Sequence, residues 1–189
     1  GILLGSACEA GELYQALLDG VAEENLEKIA SFYDYLEIQP LANNDFLIRE
    51  GRVQSNEHVK QLNRRIVELG NRSNKPVVAT GDVHFLEPQD EVFRRIIQSG
   101  QGYEDAEAQA PLYFRTTAEM LDEFSYLGKE EAQAVVIDNP SLINEMVEVL
   151  QPVPDGFYPP KIDSAEEDII RLTWRSEEHT SELQSLRLI

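Results

Sequence analysis

The order in which apolar patterns follow one another predicts an α/β fold built on a parallel sheet. An apolar run, "GILLGSA" (1–7), precedes two segments with helical spacing. "DYLEIQP" (34–40) alternates like a half-buried strand. "KPVVATGD" (75–82), after a long helical segment, is apolar on both faces, as parallel strands covered by helices are. Strand, two helices, strand, helix, strand is the βα alternation that closes into a parallel sheet.

Each element has its own local reason. "GELYQALLDG" spaces Leu13, Ala16 and Leu17 on one helical face between two glycines. "EENLEKIASFY" does the same with Leu26, Ile29, Ala30 and Tyr33. In "DYLEIQP", Leu36 and Ile38 fall on one side, Tyr35, Glu37 and Gln39 on the other, and Pro40 ends the strand. "NEHVKQLNRRIVELGNRSN" carries the stripe Val59, Leu62, Ile66 and Leu69, with Ser55 as N-cap and Gly70 or Asn71 as its close. Beyond Pro88, "QDEVFRRIIQSG" reads as a helix and "GYEDAEAQAP" as a polar loop. A further helix opens with a capping box, Thr116 to Glu119. "KEEAQAVVIDNPSLINEMV" predicts two helices broken at Asn139–Pro140. "QPVPDGFYPPKID" is rich in turn residues and reads as a linker. "SAEEDIIRLTW" then restarts a helix with a capping box, Ser164 to Glu167, and Trp174 as a core residue of a further module.

Composition narrows the function classes. The 189 residues carry a net charge of -19, with pI near 4.4. Such a surface repels phosphate backbones, which excludes nucleic-acid binding through a basic face but leaves metal-mediated phosphate chemistry open. The short pairs Arg64–Arg65 and Arg94–Arg95 read as solvated helix faces. No apolar run is long enough to span a membrane. The single cysteine, Cys8, gives no internal disulfide and suits a cytoplasmic location. The first residues have no basic n-region, and the start without methionine inside an apolar run is what a fragment would show. The tail "RSEEHTSELQSLRLI" (175–189) resembles a translated sequencing adapter, with Arg175 to Ser185 matching without a gap. Setting it aside removes His179 and leaves His58 and His84 as histidine candidates.

The chemistry-bearing stretch is "VVATGDVHFLEP" (77–88). Side chains two apart on a strand point the same way, so a strand continuing through Gly81 would project Asp82 and His84 together beyond its carboxyl end. That edge is where α/β sheets place their sites. A carboxylate beside an imidazole suits Zn, Mn or Fe. An Asp-x-His in a loop is more often a turn aspartate and a surface histidine. In "GSACEAGE" (5–12), Cys8 sits where the chain leaves a strand-like run, placed either as a thiolate ligand or as a small buried apolar group. Glu9 and Glu12 stand at a helix start, where acids are favoured, and Glu12 can line a pocket there. Glu37 and Gln39 share a strand face near a carboxyl end and can line the same pocket. His58 reads as an exposed helix residue.

"LLGSACEAGEL" followed about seventy residues later by "PVVATGDVHFLEP" resembles the polymerase and histidinol phosphatase (PHP) domain of bacterial PolC-type DNA polymerase III alpha subunits. "YLEIQPLANND" and "GFYPPKIDSAEEDIIRLTW" fit the same family, so the resemblance spans Gly1 to Trp174. It implies a distorted seven-stranded (β/α) barrel with metals at the carboxyl ends of its strands, incomplete in this chain. Residues 1–151 would be the carboxyl-terminal part of the PHP domain, 152–163 a linker, 164–174 a truncated start of the polymerase region, and 175–189 an artefactual tail. Carried over by position, Cys8, Asp82 and His84 become metal ligands. The resemblance implies divalent metals in this site (Zn, Mn or Fe) and Mg in a polymerase site elsewhere in the parent. Its partners would be the rest of the polymerase chain, with DNA, dNTPs and replisome proteins such as the sliding clamp reached through other domains. The family's amino-terminal His-x-His, its DEDD-type exonuclease and its polymerase aspartates have no counterpart here. A free-standing PHP phosphatase acting on a small phosphate ester and a non-catalytic PHP scaffold are the alternative readings.

Overall fold

The structure is a computed structural model that describes residues 1–103, 105–153 and 155–185, with side chains described through Ser176. Two compact units divide the chain, residues 1–148 and 149–189.

In the first unit the elements run α1 (Glu12–Leu18), α2 (Glu23–Phe32), β1 (Leu36–Ile38), a 3-10 turn (Leu41–Asn44), α3 (Asp45–Arg49), α4 (Asn56–Ser73) and β2 (Val77–Ala79). Then follow α5 (Glu91–Gly100), α6 (Thr117–Glu123), a 3-10 turn (Ser125–Leu127), α7 (Lys129–Gln133), a π turn (Ala134–Asp138) and α8 (Asn139–Met146). β1 and β2 pair in parallel, Leu36 opposite Val77 and Ile38 opposite Ala79. Gly5 bridges Tyr35, also in parallel, so three chain segments run the same way side by side. This is a helix-rich α/β arrangement around a small sheet. Two strands form among the described residues, where the resemblance implies a seven-stranded barrel.

The strand expected over 1–7 shrinks to that single bridge. Leu4 still binds the sheet through its carbonyl, which accepts from the backbone N–H groups of Asp34 and Tyr35. Ile2 and Leu3 have no described element covering them and stay exposed, Ile2 at 84%.

α4 packs on both strands and against α1 and α2, and the π turn and α8 pack on β2. The alternation in β1 does what its pattern requires: Leu36 and Ile38 are buried and Glu37 is half-buried. β2 buries both Val77 and Val78. The core gathers Leu13, Leu26, Leu36, Ile38, Val59, Ile66, Leu69 and Phe124, among others.

Capping follows the expected chemistry at two helices. Ser55 Oγ accepts from the His58 N–H at the start of α4, and Thr116 and Glu119 form a reciprocal capping box on α6. That box holds the Glu119 carboxyl below its ordinary range, chiefly because the Thr116 N–H donates to it.

The close of α4 is displaced. The helix passes Gly70 and ends at Ser73, with Asn74 as a left-handed cap at φ 53°. Gly70 is needed for space instead. A Cβ there would lie 2.3 Å from Val77 Cγ2 and 3.0 Å from the Lys75 carbonyl oxygen. Glycine to alanine in a helix normally gains about 1 kcal/mol. Here Gly70→Ala is expected to lose about 1–3 kcal/mol through overpacking. Faster amide exchange in the last turn of α4 would show it, and slower exchange would contradict it.

The expected break at Asn139–Pro140 is absent. Asn139 stays helical at φ -68° and ψ -43°. Pro140 has no N–H, and its ring crowds the carbonyl four residues back. The wide π turn at Ala134–Asp138 takes up that defect without ending the helix.

α5 forms where expected but buries none of its residues. Phe93, Ile96 and Ile97 stand exposed, with Leu86 and Phe114 also exposed nearby in sequence.

In the second unit, α9 (Ala165–Ser185) runs without interruption from the expected restart into the adapter-like tail. Its start differs from the expected capping box. Ser164 has φ 65°, not the extended backbone of a capping serine, and its carbonyl accepts from the Asp168 N–H. Ile169, Ile170, Leu172 and Trp174 are exposed. Trp174 stands on α9, the helix of this unit among the described residues, and is largely exposed there. Residues 186–189 and the His179 side chain lie outside the described part. No helix among the described residues is long and apolar enough to cross a membrane.

Candidate functional site at the carboxyl edge of the sheet

Three parallel segments end at one edge, and each exit loop carries candidate residues. The Gly5 segment leads into Ser6, Ala7 and Cys8. β1 leads into Gln39 and the turn containing Asn43. β2 leads into Thr80, Gly81, Asp82 and His84.

The exits are stitched together across the sheet. The Glu37 N–H donates to Ser6 Oγ at 3.0 Å, and the Ser6 N–H donates to the Tyr35 carbonyl at 3.2 Å. Glu37 Oε1 accepts from Thr80 Oγ1 at 2.8 Å and from Gln39 Nε2 at 3.3 Å. The Thr80 N–H donates to the Ile38 carbonyl at 3.0 Å, and Asn43 Nδ2 donates to the Gly81 carbonyl at 3.1 Å. Behind this layer, buried Asn63 donates to the Gln39 carbonyl at 3.2 Å and to the Tyr126 hydroxyl at 2.8 Å. Burial, more than the opposing hydrogen bond from Asn63, pushes the Tyr126 phenol up to about 12.

Asp82 and His84 do meet: Asp82 Oδ1 and His84 Nε2 are 3.3 Å apart, both side chains roughly half exposed. The route differs from the expected one. β2 ends at Ala79, and Asp82 is left-handed at φ 49°, so strand alternation does not align them. The loop turns them together, and the His84 N–H is held by the Leu112 carbonyl at 2.8 Å.

Cys8 lies half-buried in the neighbouring exit loop, after Ala7 at φ 61°. Burial pushes its thiol up, as do the negative charges of Glu9 and Glu37, against a lowering hydrogen bond from the Ala10 backbone. Alanine in the left-handed region is a costly conformation, about 1–2 kcal/mol for a residue with a Cβ, whereas aspartate adopts it more readily. They occur here in the two loops that carry the candidate ligands.

Among the described residues, no three His, Cys, Asp or Glu side chains are gathered closely enough to hold a metal ion. The donor chemistry still suits one in part. Asp82 and His84 set a carboxylate beside an imidazole, donors of the kind divalent metals take, and the Cys8 loop ends on the same edge.

The remaining residues singled out in the sequence fall as follows. Glu12, the first residue of α1, is exposed; burial first, and then the Glu12 carboxylate, push the Tyr33 phenol up. Among the described residues, none of the hydrogen bonds that stitch the carboxyl edge includes Glu12. Glu37 sits inside that network. His58 lies in the first turn of α4, and its Nδ1 accepts from the Gln54 N–H at 3.5 Å. The arginine pairs are engaged by polar neighbours: Arg64 with Glu57, Arg65 with Glu23, Arg94 with Gln98 and Gln109, and Arg95 with Glu91 and Glu107. A groove at the opposite, amino-terminal edge, lined by Leu3, Asp34, Lys75 and Met146, holds none of the candidate ligands.

Sequence reading missed Ser6, Thr80, Asn43 and Asn63. Nothing local marks them. Their partners are 31, 43, 38 and 24 residues away in the chain, and only the parallel pairing brings them together.

Fold and edge together define an α/β segment with a polar, partly metal-suited carboxyl edge. No family model matches the chain. Curated proteins do. A DNA polymerase III PolC-type of Clostridium perfringens (strain 13 / Type A) is 59% identical over 173 residues, 92% of this chain and 12% of that protein. One from Caldanaerobacter subterraneus subsp. tengcongensis is 57% identical over 173 residues, again 92% and 12%. The one from Bacillus subtilis (strain 168) is 40% identical over 178 residues, 93% of this chain and 12% of its own length. The chain thus matches a segment of PolC-type DNA polymerase III, as a fragment of a replicative polymerase would, and it spans about 12% of the length of these relatives.

Proposed function

We propose that the chain is part of the PHP domain of a PolC-type DNA polymerase III. Residues 1–151 are the carboxyl-terminal part of that domain, 152–163 a linker and 164–174 the start of the polymerase region. The observation that carries this is the 59% identity over 92% of the chain to a protein of that name. Residues 175–189 are an adapter-derived tail. In support, the matched 92% leaves unmatched a share about the size of that tail.

The parent is a DNA-directed DNA polymerase with 3′-5′ proofreading that works on DNA and dNTPs in the cytoplasm, using Mg in its polymerase site and contacting the sliding clamp. None of those activities resides in the residues described above. The PHP site is completed by ligands from elsewhere in a distorted seven-stranded barrel. In this chain Cys8, Asp82 and His84 would hold divalent metal (Zn, Mn or Fe). Bound there, such ions polarise a phosphodiester and lower the pKa of water. The chain's own residues set the ligands' places: Ser6 and Asn43 fix the exit backbones, and the loop at Asp82 pairs its carboxylate with His84. Relatives about eight times longer favour this over a free-standing phosphatase.

Metal analysis of the full-length parent tests the proposal. Wild type is expected to retain Zn, Mn or Fe that a Cys8→Ser, Asp82→Asn, His84→Ala triple variant loses, while Mg-dependent primer extension persists. Equal metal content in the two would refute it.

A further inference from the structure

We infer that Glu37 is a positioning residue for this centre: through Thr80 it fixes the exit of β2 from which Asp82 and His84 project. The inference rests on reading Cys8, Asp82 and His84 as ligands, and it assigns a role to a carboxylate outside that set.

Glu37 bonds to all three exits. Its backbone N–H donates to Ser6 Oγ, two residues before Cys8. Its carboxylate takes the Thr80 hydroxyl, two residues before Asp82, and the amide of Gln39 on its own strand. Because Glu37 is central in β1, paired opposite Val78, its backbone is fixed by the sheet, and the side chain serves as a rigid strut.

The chemistry favours support over ligation. Oε1 already accepts two hydrogen bonds, one of them from a hydroxyl at 2.8 Å. Hydrogen bonds to an ionised, part-buried acceptor are about twice as strong as neutral ones. The exit beyond Thr80 contains Gly81 and a left-handed Asp82, a stretch with no strand pairing of its own. Its anchors to the β1 side are the Thr80 N–H on the Ile38 carbonyl, the Thr80 hydroxyl on Glu37 and the Asn43 amide on the Gly81 carbonyl. Removing the Glu37 anchor leaves two of these three and loosens the exit from which the Asp82–His84 arm projects. Outer partners of this kind typically account for about 10- to 100-fold in metal affinity.

The test uses the full-length parent and cobalt(II) as probe. The signal is the cysteinate-to-cobalt charge-transfer band, taken as the difference from Cys8→Ser. Glu37→Ala and Thr80→Val are expected to weaken cobalt binding by about 10- to 100-fold. Glu37→Gln keeps an oxygen acceptor for Thr80, and Thr80→Ser keeps the hydroxyl, so both should stay near wild type. Thr80→Val keeps the side-chain volume, and an unchanged melting temperature of the variant parent separates a local loss of affinity from misfolding. Wild-type affinity in Glu37→Ala and Thr80→Val, with Asp82→Asn and His84→Ala still damaging, overturns the role of Glu37 alone. So does equal damage in the conservative and disruptive variants. A band unaffected by Asp82→Asn and His84→Ala overturns the ligand assignment as well.

Discussion

Replacing Phe124 with alanine is expected to raise amide exchange in α4 and α6 of the full-length parent by about two to three and a half powers of ten. Phe124 is fully buried at the end of α6, within the core shared by α1, α4 and β1. Truncating a buried phenylalanine costs about 3–5 kcal/mol, the lost transfer energy plus the cavity left behind. Every 1.4 kcal/mol is a factor of about ten in opening. The damage should also travel. Phe124 packs beside Tyr126, ring centroids 6.2 Å apart. The Tyr126 hydroxyl accepts from Asn63, and Asn63 also donates to the Gln39 carbonyl at the carboxyl edge of β1. Lys60 and Arg64 lie over the Tyr126 ring, and Arg64 donates to its carbonyl at 3.2 Å. A variant that loosens only the turn at Ser125–Leu127, with α4 protected as in wild type, would contradict Phe124 as a core residue linking α6 to the sheet.

The second large effect is expected at Gly11, the N-cap of α1. Its N–H donates to the Cys8 carbonyl at 2.9 Å, closing the tight loop that presents Cys8. A Cβ at Gly11 would lie 2.2 Å from the Ser6 carbonyl oxygen and 3.1 Å from that of Cys8. Both are backbone atoms, so no side chain can move aside. The Ser6 N–H is held by the Tyr35 carbonyl, and its side-chain Oγ accepts from the Glu37 N–H. Gly11→Ala must therefore open the loop or shift α1. Overpacking of this kind costs about 1–3 kcal/mol, which is about one to two powers of ten in local exchange over residues 6–15. It should also weaken the cobalt–thiolate signal of the parent. An unchanged signal with unchanged exchange would show that the loop has slack.

Local chemistry made much of this architecture readable. The stripe Val59, Leu62, Ile66 and Leu69 became the buried face of α4, and Ser55 and Thr116 cap as their positions require. Signals of this kind act within one or two turns of helix. The errors came where tertiary packing decides. Gly70 looked like a helix stop, but it is small because Val77 lies against it. Asn139–Pro140 looked like a break, and the π turn absorbed it. The apolar Ile2–Leu4 run looked like a buried strand, yet a strand needs neighbours on both sides to be buried, and among the described residues the segment's pairing is the Gly5 bridge and the Leu4 carbonyl.

The candidate site was legible in the same uneven way. Asp82 and His84 were found from their spacing, and they do meet, but through a left-handed turn and not through strand alternation. Glu37 was placed by its face on β1. Its partners Ser6 and Thr80 were invisible because a serine or threonine carries no sign of a hydrogen bond 31 or 43 residues away.

Anomalous diffraction from crystals of the full-length parent grown with zinc or manganese tests the central claim most directly. The expected map has a metal peak within bonding distance of Cys8 Sγ, the Asp82 carboxylate and a His84 ring nitrogen, about 2.0–2.3 Å for zinc. A map with metal in the polymerase site and none at the carboxyl edge beside Cys8, Asp82 and His84 would contradict it.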